Sequence, residues 1–427
     1  MKKSIFAILT VTGLIGGTLA NFNLISNANA AASTAVTQDT YQTVKPASTG
    51  TAGGFTDTKG HWAETAIEDA IKNGFVDGYP DGSFKPDGNV TRAEFLKMVN
   101  TAMKVDVTGG TGDDWYVPYV NAAVKAGFHQ YSDFKTGNWN TPITRLEMAR
   151  VAVRAATGDK NTDDKKWMYL ATKAGLITGM DDAGSLGENF STTRAQSVTI
   201  IGRILNVKSG STLPTDKYAI SNGEISWHKT NMLTLLPRYF SYGQKFGDIK
   251  TDELKATGGD GNFVCEAEKF VVIDMEDPSD PNRKYLPMDA KWFDFKDYQS
   301  YNIPQKSYVI LSFNKLVVKN NPYGITKARA CTLSLDNDSL QSPDVTSQAG
   351  VLSKISPLVL KDSFGYTTTT GIVTIKGSGE YNYLNGHIIP KGNLVGNGST
   401  ITFYKLGDFG QAPSTVYQSA TDVKINQ

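Results

Sequence analysis

Three short stretches decide the reading of this chain: Thr91-Arg92-Ala93-Glu94, Thr144-Arg145-Leu146-Glu147 and Thr193-Arg194-Ala195-Gln196. Each has the form of a capping box. The threonine accepts from a backbone amide inside the first turn, and Glu or Gln reaches back to the amide of the cap. A capping box alone only starts a helix. The arginine after each threonine is not explained that way, because a cation there meets the positive end of the helix dipole and is mildly unfavourable. Its recurrence at one place in three copies points to a role other than helix initiation.

Working outward, the chain repeats itself around these boxes. Phe55-Thr56-Asp57, His61-Trp62-Ala63 and Asn73-Gly74-Phe75 precede the first box. Asp114-Trp115-Tyr116 and Ala126-Gly127-Phe128 precede the second, and Ala174-Gly175-Leu176 precedes the third. From glycine to arginine the spacing is 18, 18 and 19 residues, and from tryptophan to glycine it is 12 in the two copies that carry the tryptophan. Each copy reads as helix, loop, helix. Ala63, Ala66, Ile67, Ala70 and Ile71 share a helical face, and Gly74 stands where a left-handed residue ends a helix. The loop 77–89 is dense in Gly, Pro and Asp. Phe95, Met98, Val99 and Ala102 form the buried stripe of the second helix.

These motifs, with the loop Gly78-Tyr79-Pro80-Asp81-Gly82-Ser83-Phe84-Lys85-Pro86, resemble the S-layer homology family over about residues 55–207, in repeats of about 55–107, 113–158 and 163–207. The resemblance implies an all-α module of three repeats around a central helical bundle. Grooves between neighbouring repeats would bind secondary cell-wall polysaccharide linked to peptidoglycan, often capped by pyruvylated sugars. It assigns the anion contact to Arg92, Arg145 and Arg194, and other groove positions to Asp57, Trp62, Gly78, Trp115 and Gly179. The second copy departs from the pattern, with Tyr131-Ser132 in place of Gly78-Tyr79 and Leu146 in place of Ala93. The third has Trp167 four residues too late to align with Trp62, and Gln196 in place of Glu94. At least one groove is therefore expected to be degenerate, with Tyr131 placing the weakness at Arg145. The strongest contact is expected at Arg92, as an exposed first-turn residue aided by free amides at the helix start.

The N-terminus has Lys2 and Lys3, an apolar run from Ile5 to Leu19, and Ala28-Asn29-Ala30. This is the three-part pattern of a secretory signal peptide over 1–30, and the run is too short and too rich in Gly for a confident span. Residues 31–54, rich in Ala, Ser, Thr and Gly, read as a flexible linker. The expected location is the cell wall or cell surface, with no membrane contact in the mature form. A formal charge of +1 from 43 basic and 42 acidic residues, without a basic tract, gives no electrostatic footprint for nucleic acid.

From residue 208 to 427 the texture changes to short apolar runs between Gly, Asn, Asp and Pro. Phe270–Ile273, Ser307–Val318, Gly371–Ile375 and Ser399–Tyr404 read as strands of a β-rich domain, a sandwich or a barrel, and 208–258 leaves room for helices. Cys265 and Cys331 are either a disulfide or two buried thiols. Asp274, Glu276, Asp277 and Asp280 lack EF-hand spacing and read as a solvated acidic turn. No catalytic, metal or cofactor motif appears. Two functions remain. One is a wall-anchored protein displaying a structural or interaction domain, with other surface-layer subunits as candidate partners. The other is a wall-anchored carbohydrate hydrolase with its catalytic carboxylates in 208–427.

Overall fold

The computed structural model describes residues 55–425 apart from 109–111, 135–137, 241–248, 259–260, 322–323, 325, 330, 336–339, 342–347, 363, 370, 393, 397–399, 406–413 and 421–423. The expected signal peptide and linker lie outside these residues.

Six helices fill the first part of the described chain: α1 (Glu64–Lys72), α2 (Arg92–Ala102), α3 (Val117–Lys125), α4 (Arg145–Thr157), α5 (Trp167–Lys173) and α6 (Arg194–Lys208). All three capping boxes form, at Thr91 with Glu94, Thr144 with Glu147 and Thr193 with Gln196. Gly74, Gly127 and Gly175 follow the shorter helices with φ of +72°, +83° and +69°, as helix-ending glycines do. The arginine-led helices α2, α4 and α6 line a common apolar core with Phe84, Phe128 and Ile143. α4 lies deepest, with every residue from Glu147 to Ala156 buried.

A ring of backbone hydrogen bonds ties the three helix starts together. Val90 N–H donates to Thr192 C=O, Thr192 N–H to Ile143 C=O, and Ile143 N–H to Val90 C=O, each at 2.9 Å. Short β-bridges, Asn89 with Thr193, Thr91 with Pro142 and Thr144 with Ser191, flank this ring. The helical region is therefore not purely α. Each capping threonine is extended, and the buried backbone groups beside it must find hydrogen-bond partners.

The helices continue past residue 208. α7 (Lys217–His228), α8 (Met232–Leu235) and α9 (Pro237–Phe240) precede the first strand. α7 is shared: Ala219 belongs to the helical core and Ile225 packs against the sheet core.

The sheet region has β1 (Lys255–Gly258), β2 (Phe263–Asp274), β3 (Lys291–Asp294), β4 (Gln299–Asn302), β5 (Ser307–Val318), β6 (Thr326–Arg329), β7 (Leu333–Leu335), β8 (Leu340–Gln341), β9 (Ser356–Lys361), β10 (Thr367–Thr368), β11 (Ile372–Ile375), β12 (Gly379–Pro390), β13 (Leu394–Gly396), β14 (Thr400–Lys405), β15 (Ser414–Ala420) and β16 (Lys424–Ile425). The main sheet runs β1-β2-β5-β12-β9-β3-β4, with β10 beside β9. All its pairings are antiparallel. Among the described residues it ends at β1 and β4, so it is open, which corrects the barrel alternative.

Both faces of the sheet are covered, and this explains its continuous apolar runs. Val309, Leu311 and Phe313 of β5 cluster with Trp292, Leu358 and Leu360 of the same sheet, and Ile225 of α7 with Tyr285 and Leu286 pack over them. Ile310, between Val309 and Leu311, faces Met232, Leu236 and Tyr239 of the helical cover and Leu335 of β7. At one end, β6 and β11 close over a third cluster that contains both cysteines. Cys265 and Cys331 are disulfide-bonded, with Cα atoms 5.6 Å apart.

Candidate functional site

Each arginine of the repeated motif reaches out of its own copy into the loop of another. Arg194 donates from Nε to Phe84 C=O at 2.9 Å and from Nη2 to Asp77 C=O at 2.8 Å. Arg145 donates from Nε to Leu186 C=O at 2.8 Å and from Nη2 to Thr178 C=O at 2.9 Å. The third copy's helix thus meets the first copy's loop, and the second copy's helix meets the third copy's loop. In both arginines Nη1 is left without a protein partner among the described residues.

Arg92 closes the cycle on the second copy's loop, but differently. Its Nη1 donates to Asn138 C=O at 3.1 Å. Nε and Nη2 go to the two carboxylate oxygens of Glu147, a charge-assisted fork. The side chains of the pair are 7% and 11% exposed, so this guanidinium is already neutralised by a buried partner. In the corresponding third-copy position Gln196 carries no charge.

All three arginines are buried, at 5–7% exposure, which corrects the expectation of an exposed first-turn residue. Burial also pulls the Arg145 guanidinium below its ordinary pKa. The free amides expected at the helix starts are not free. Arg92 and Ala93 N–H donate to Thr141 and Trp139 C=O, Arg145 and Leu146 N–H to Phe190 and Glu188 C=O, and Arg194 and Ala195 N–H to Gly88 and Pro86 C=O. The amides that a helix start offers to an anion are taken by the neighbouring loop.

The remaining motif residues shape these loops. Asp57 accepts from Phe84 N–H at 2.8 Å and Lys85 N–H at 2.7 Å, and so clamps the loop that holds Arg194. Gly78 lies under Phe55, whose ring leaves no room for a Cβ. Trp62 is 64% exposed and stands beside His61, whose Nε2 lies 3.4 Å from Asp87 of the same loop. Tyr79 and Phe84 present their rings to the Arg194 guanidinium at 5.0 and 4.5 Å, and the Lys85 ammonium lies 4.2 Å over Tyr79. Asp57, Gly78 and the loop they support therefore gather at Arg194, not at Arg92.

Gly179 belongs to the loop that holds Arg145, and Gly184 Cα sits where its Cβ would go. Trp115 stacks edge-on with Tyr116 and Tyr119 beside Lys97 of α2. Tyr131 is exposed and donates to Asn121 Oδ1 at 2.7 Å. Its loop is the one that faces Arg92, so this departure from the pattern falls on Arg92 and not on Arg145. Trp167 is buried, with the Arg154 guanidinium 4.6 Å over its ring. The acidic turn is fully engaged: Asp274 and Glu276 pair with Lys391, Asp277 accepts from Tyr218 Oη, and Asp280 takes the Asp274 and Asn282 amides.

Sequence reasoning passed over Glu147 as anything but a cap, and over Asp77, Phe84, Thr178 and Leu186 as carbonyl acceptors. Residue type does not single out Glu147, because Glu94 holds the same place in the first copy. Backbone acceptors leave no residue-type signature.

The S-layer homology domain model matches residues 54–96. The chain is 30% identical over 181 residues to an amylopullulanase of Thermoanaerobacterium thermosulfurigenes, covering 36% of this chain and 10% of that one. It is 31% identical over 176 residues to an exoglucanase, XynX, of Acetivibrio thermocellus, covering 35% and 16%. It is 29% identical over 87 residues to a cellulosome-anchoring protein of Acetivibrio thermocellus, covering 19% and 20%. The aligned part thus spans a fifth or less of each of these relatives. The family match takes in the loop clamped by Asp57 and gives the identity of that region: the chain carries an S-layer homology domain over residues 54–96.

Proposed function

We propose that this is an exported cell-surface protein held non-covalently on the cell wall by three S-layer homology repeats over 55–207, which bind an anionic secondary cell-wall polysaccharide. The observation that carries the reading is the unclaimed Nη1 edge of Arg145 and Arg194, each held in place by two loop carbonyls. A guanidinium fixed in this way is preorganised for a carboxylate, the group a pyruvylated sugar would present. Trp62 offers an exposed flat face for a sugar ring, and Tyr79 with Lys85 adds a polar wall at Arg194. Asp57, Gly78 and Gly179 shape the loops, and Trp115 lies beside the second copy's first helix. Arg92 is the weakest of the three grooves because Glu147 already occupies it. The helical repeats are the anchor, and the sheet region 208–427 is a displayed structural or interaction domain that other surface-layer subunits could meet.

The test is retention of the full chain on purified walls before and after chemical removal of the non-peptidoglycan polymer. Binding lost on stripped walls supports the reading. Equal retention makes peptidoglycan the ligand and overturns it.

A further inference from the structure

The chain beyond residue 208 is built into the groove of Arg145. Asp216, the N-cap of α7, accepts from Gly179 N–H at 2.9 Å while it caps Tyr218 and Ala219 N–H. Asn222, further along the helix, donates to Ala183 and Gly184 C=O at 2.8 and 2.9 Å. Ser226 donates to Glu188 at 3.1 Å. A Cβ on Gly184 would strike the backbone of Tyr218 and Ala219, and a Cβ on Gly175 would strike Leu213 and Pro214. The segment 213–226 therefore braces the loop 178–190 along its length. That loop supplies the Thr178 and Leu186 carbonyls that aim Arg145. In the first copy the bracing comes from Asp57, inside the repeat.

The other end of α7 is fastened to the sheet region. Glu224 accepts from Leu233 and Thr234 N–H, and Asn231 exchanges hydrogen bonds with the backbone of Val272. One helix holds both a groove loop and the displayed domain.

We propose that α7 belongs to the binding module, with Asp216 and Asn222 as positioning residues for the Arg145 groove. The anchor then extends through residue 228, and this groove, unlike that of Arg194, requires the start of the C-terminal region. The proposal rests on the wall-polymer reading above.

The test uses the full chain carrying Asp216→Ala or Asn222→Ala, with the acidic glycan released from purified walls as probe. Asp216→Ala should accelerate hydrogen exchange at Gly179 N–H and weaken binding roughly tenfold, the loss expected for one charge-assisted contact. It should add little in an Arg145→Ala background and multiply the loss in an Arg194→Ala background. Asn222→Ala, which leaves the helix cap intact, should show the same pattern more weakly. Wild-type affinity in both variants, or an equal further loss on top of Arg145→Ala, overturns the positioning role. Failure of the wild-type chain to bind the glycan overturns the wall-polymer reading instead; unchanged exchange at Gly179 overturns the link between α7 and the loop whatever the ligand.

Discussion

Arg92 and Glu147, 55 residues apart in the chain, form a forked ion pair between the helix starts of the first and second copies. Arg145 and Arg194, in the same motif, turn to loop carbonyls through Nε and Nη2, and their Nη1 has no protein partner among the described residues. Glu147 also caps its own helix, accepting from Thr144 N–H. Gln196 performs that cap in the third copy without a charge. Glu147→Gln should therefore keep the cap while releasing Arg92. Calorimetric titration with the acidic wall glycan should show one more binding groove per chain than the wild type. An unchanged stoichiometry would mean that Glu147 is not what closes the groove.

The same pair makes Arg92 a stability residue. Removing one partner of a buried ion pair leaves the other charge uncompensated, at a cost on the order of 3 kcal/mol. Arg92→Ala should lower the melting temperature clearly and change polymer affinity little at a temperature where it stays folded.

Glu224 titrates at the joint between the helices and the sheet. Burial pushes its carboxyl up to about 8, against hydrogen bonds from Leu233 and Thr234 that favour the charged form. Between the ordinary carboxylate range and pH 8 the folded state keeps a proton that the unfolded state has lost. Stability from this group is therefore fully present at low pH and is lost as pH rises toward 8. Glu224→Gln removes the dependence. Its stability relative to the wild type should increase from pH 5 to pH 8.5, by an amount on the order of 3–5 kcal/mol, and then level off. Paired thermal melts across that range provide the check; a flat difference would contradict the assignment.

The disulfide closes a loop of 66 residues in sequence separation. In the chain-entropy model such a closure contributes about 4 kcal/mol. Denaturant unfolding followed by a probe in the sheet region should show a loss of this size on reduction.

Much of the helical region was legible in the sequence, and for local reasons. Thr91, Thr144 and Thr193 sit beside the residues they bond, and Gly74 and Gly127 declare their backbone conformation by residue type. The grooves were less legible because their partners are distant in the chain and mostly backbone. Phe84 C=O serves Arg194 across 110 residues, and no pattern within one repeat reveals which loop an arginine will enter. That is why Tyr131 reads in sequence as a neighbour of Arg145, while the loop it belongs to meets Arg92. α7 was hidden for a related reason: its polar contacts to loop carbonyls leave no apolar stripe wide enough to read. The sheet's paired faces blurred the alternation that would have shown its topology, since Val309 and Ile310 are both buried on opposite sides.

On the proposed function, Arg145 and Arg194, and not Arg92, hold the wall polymer. The direct measurement is retention of the full chain on native walls for Arg145→Ala/Arg194→Ala beside Arg92→Ala, with folding verified for each. The double variant should lose retention while Arg92→Ala keeps it. Loss with Arg92→Ala while still folded, or full retention by the double variant, would contradict the account.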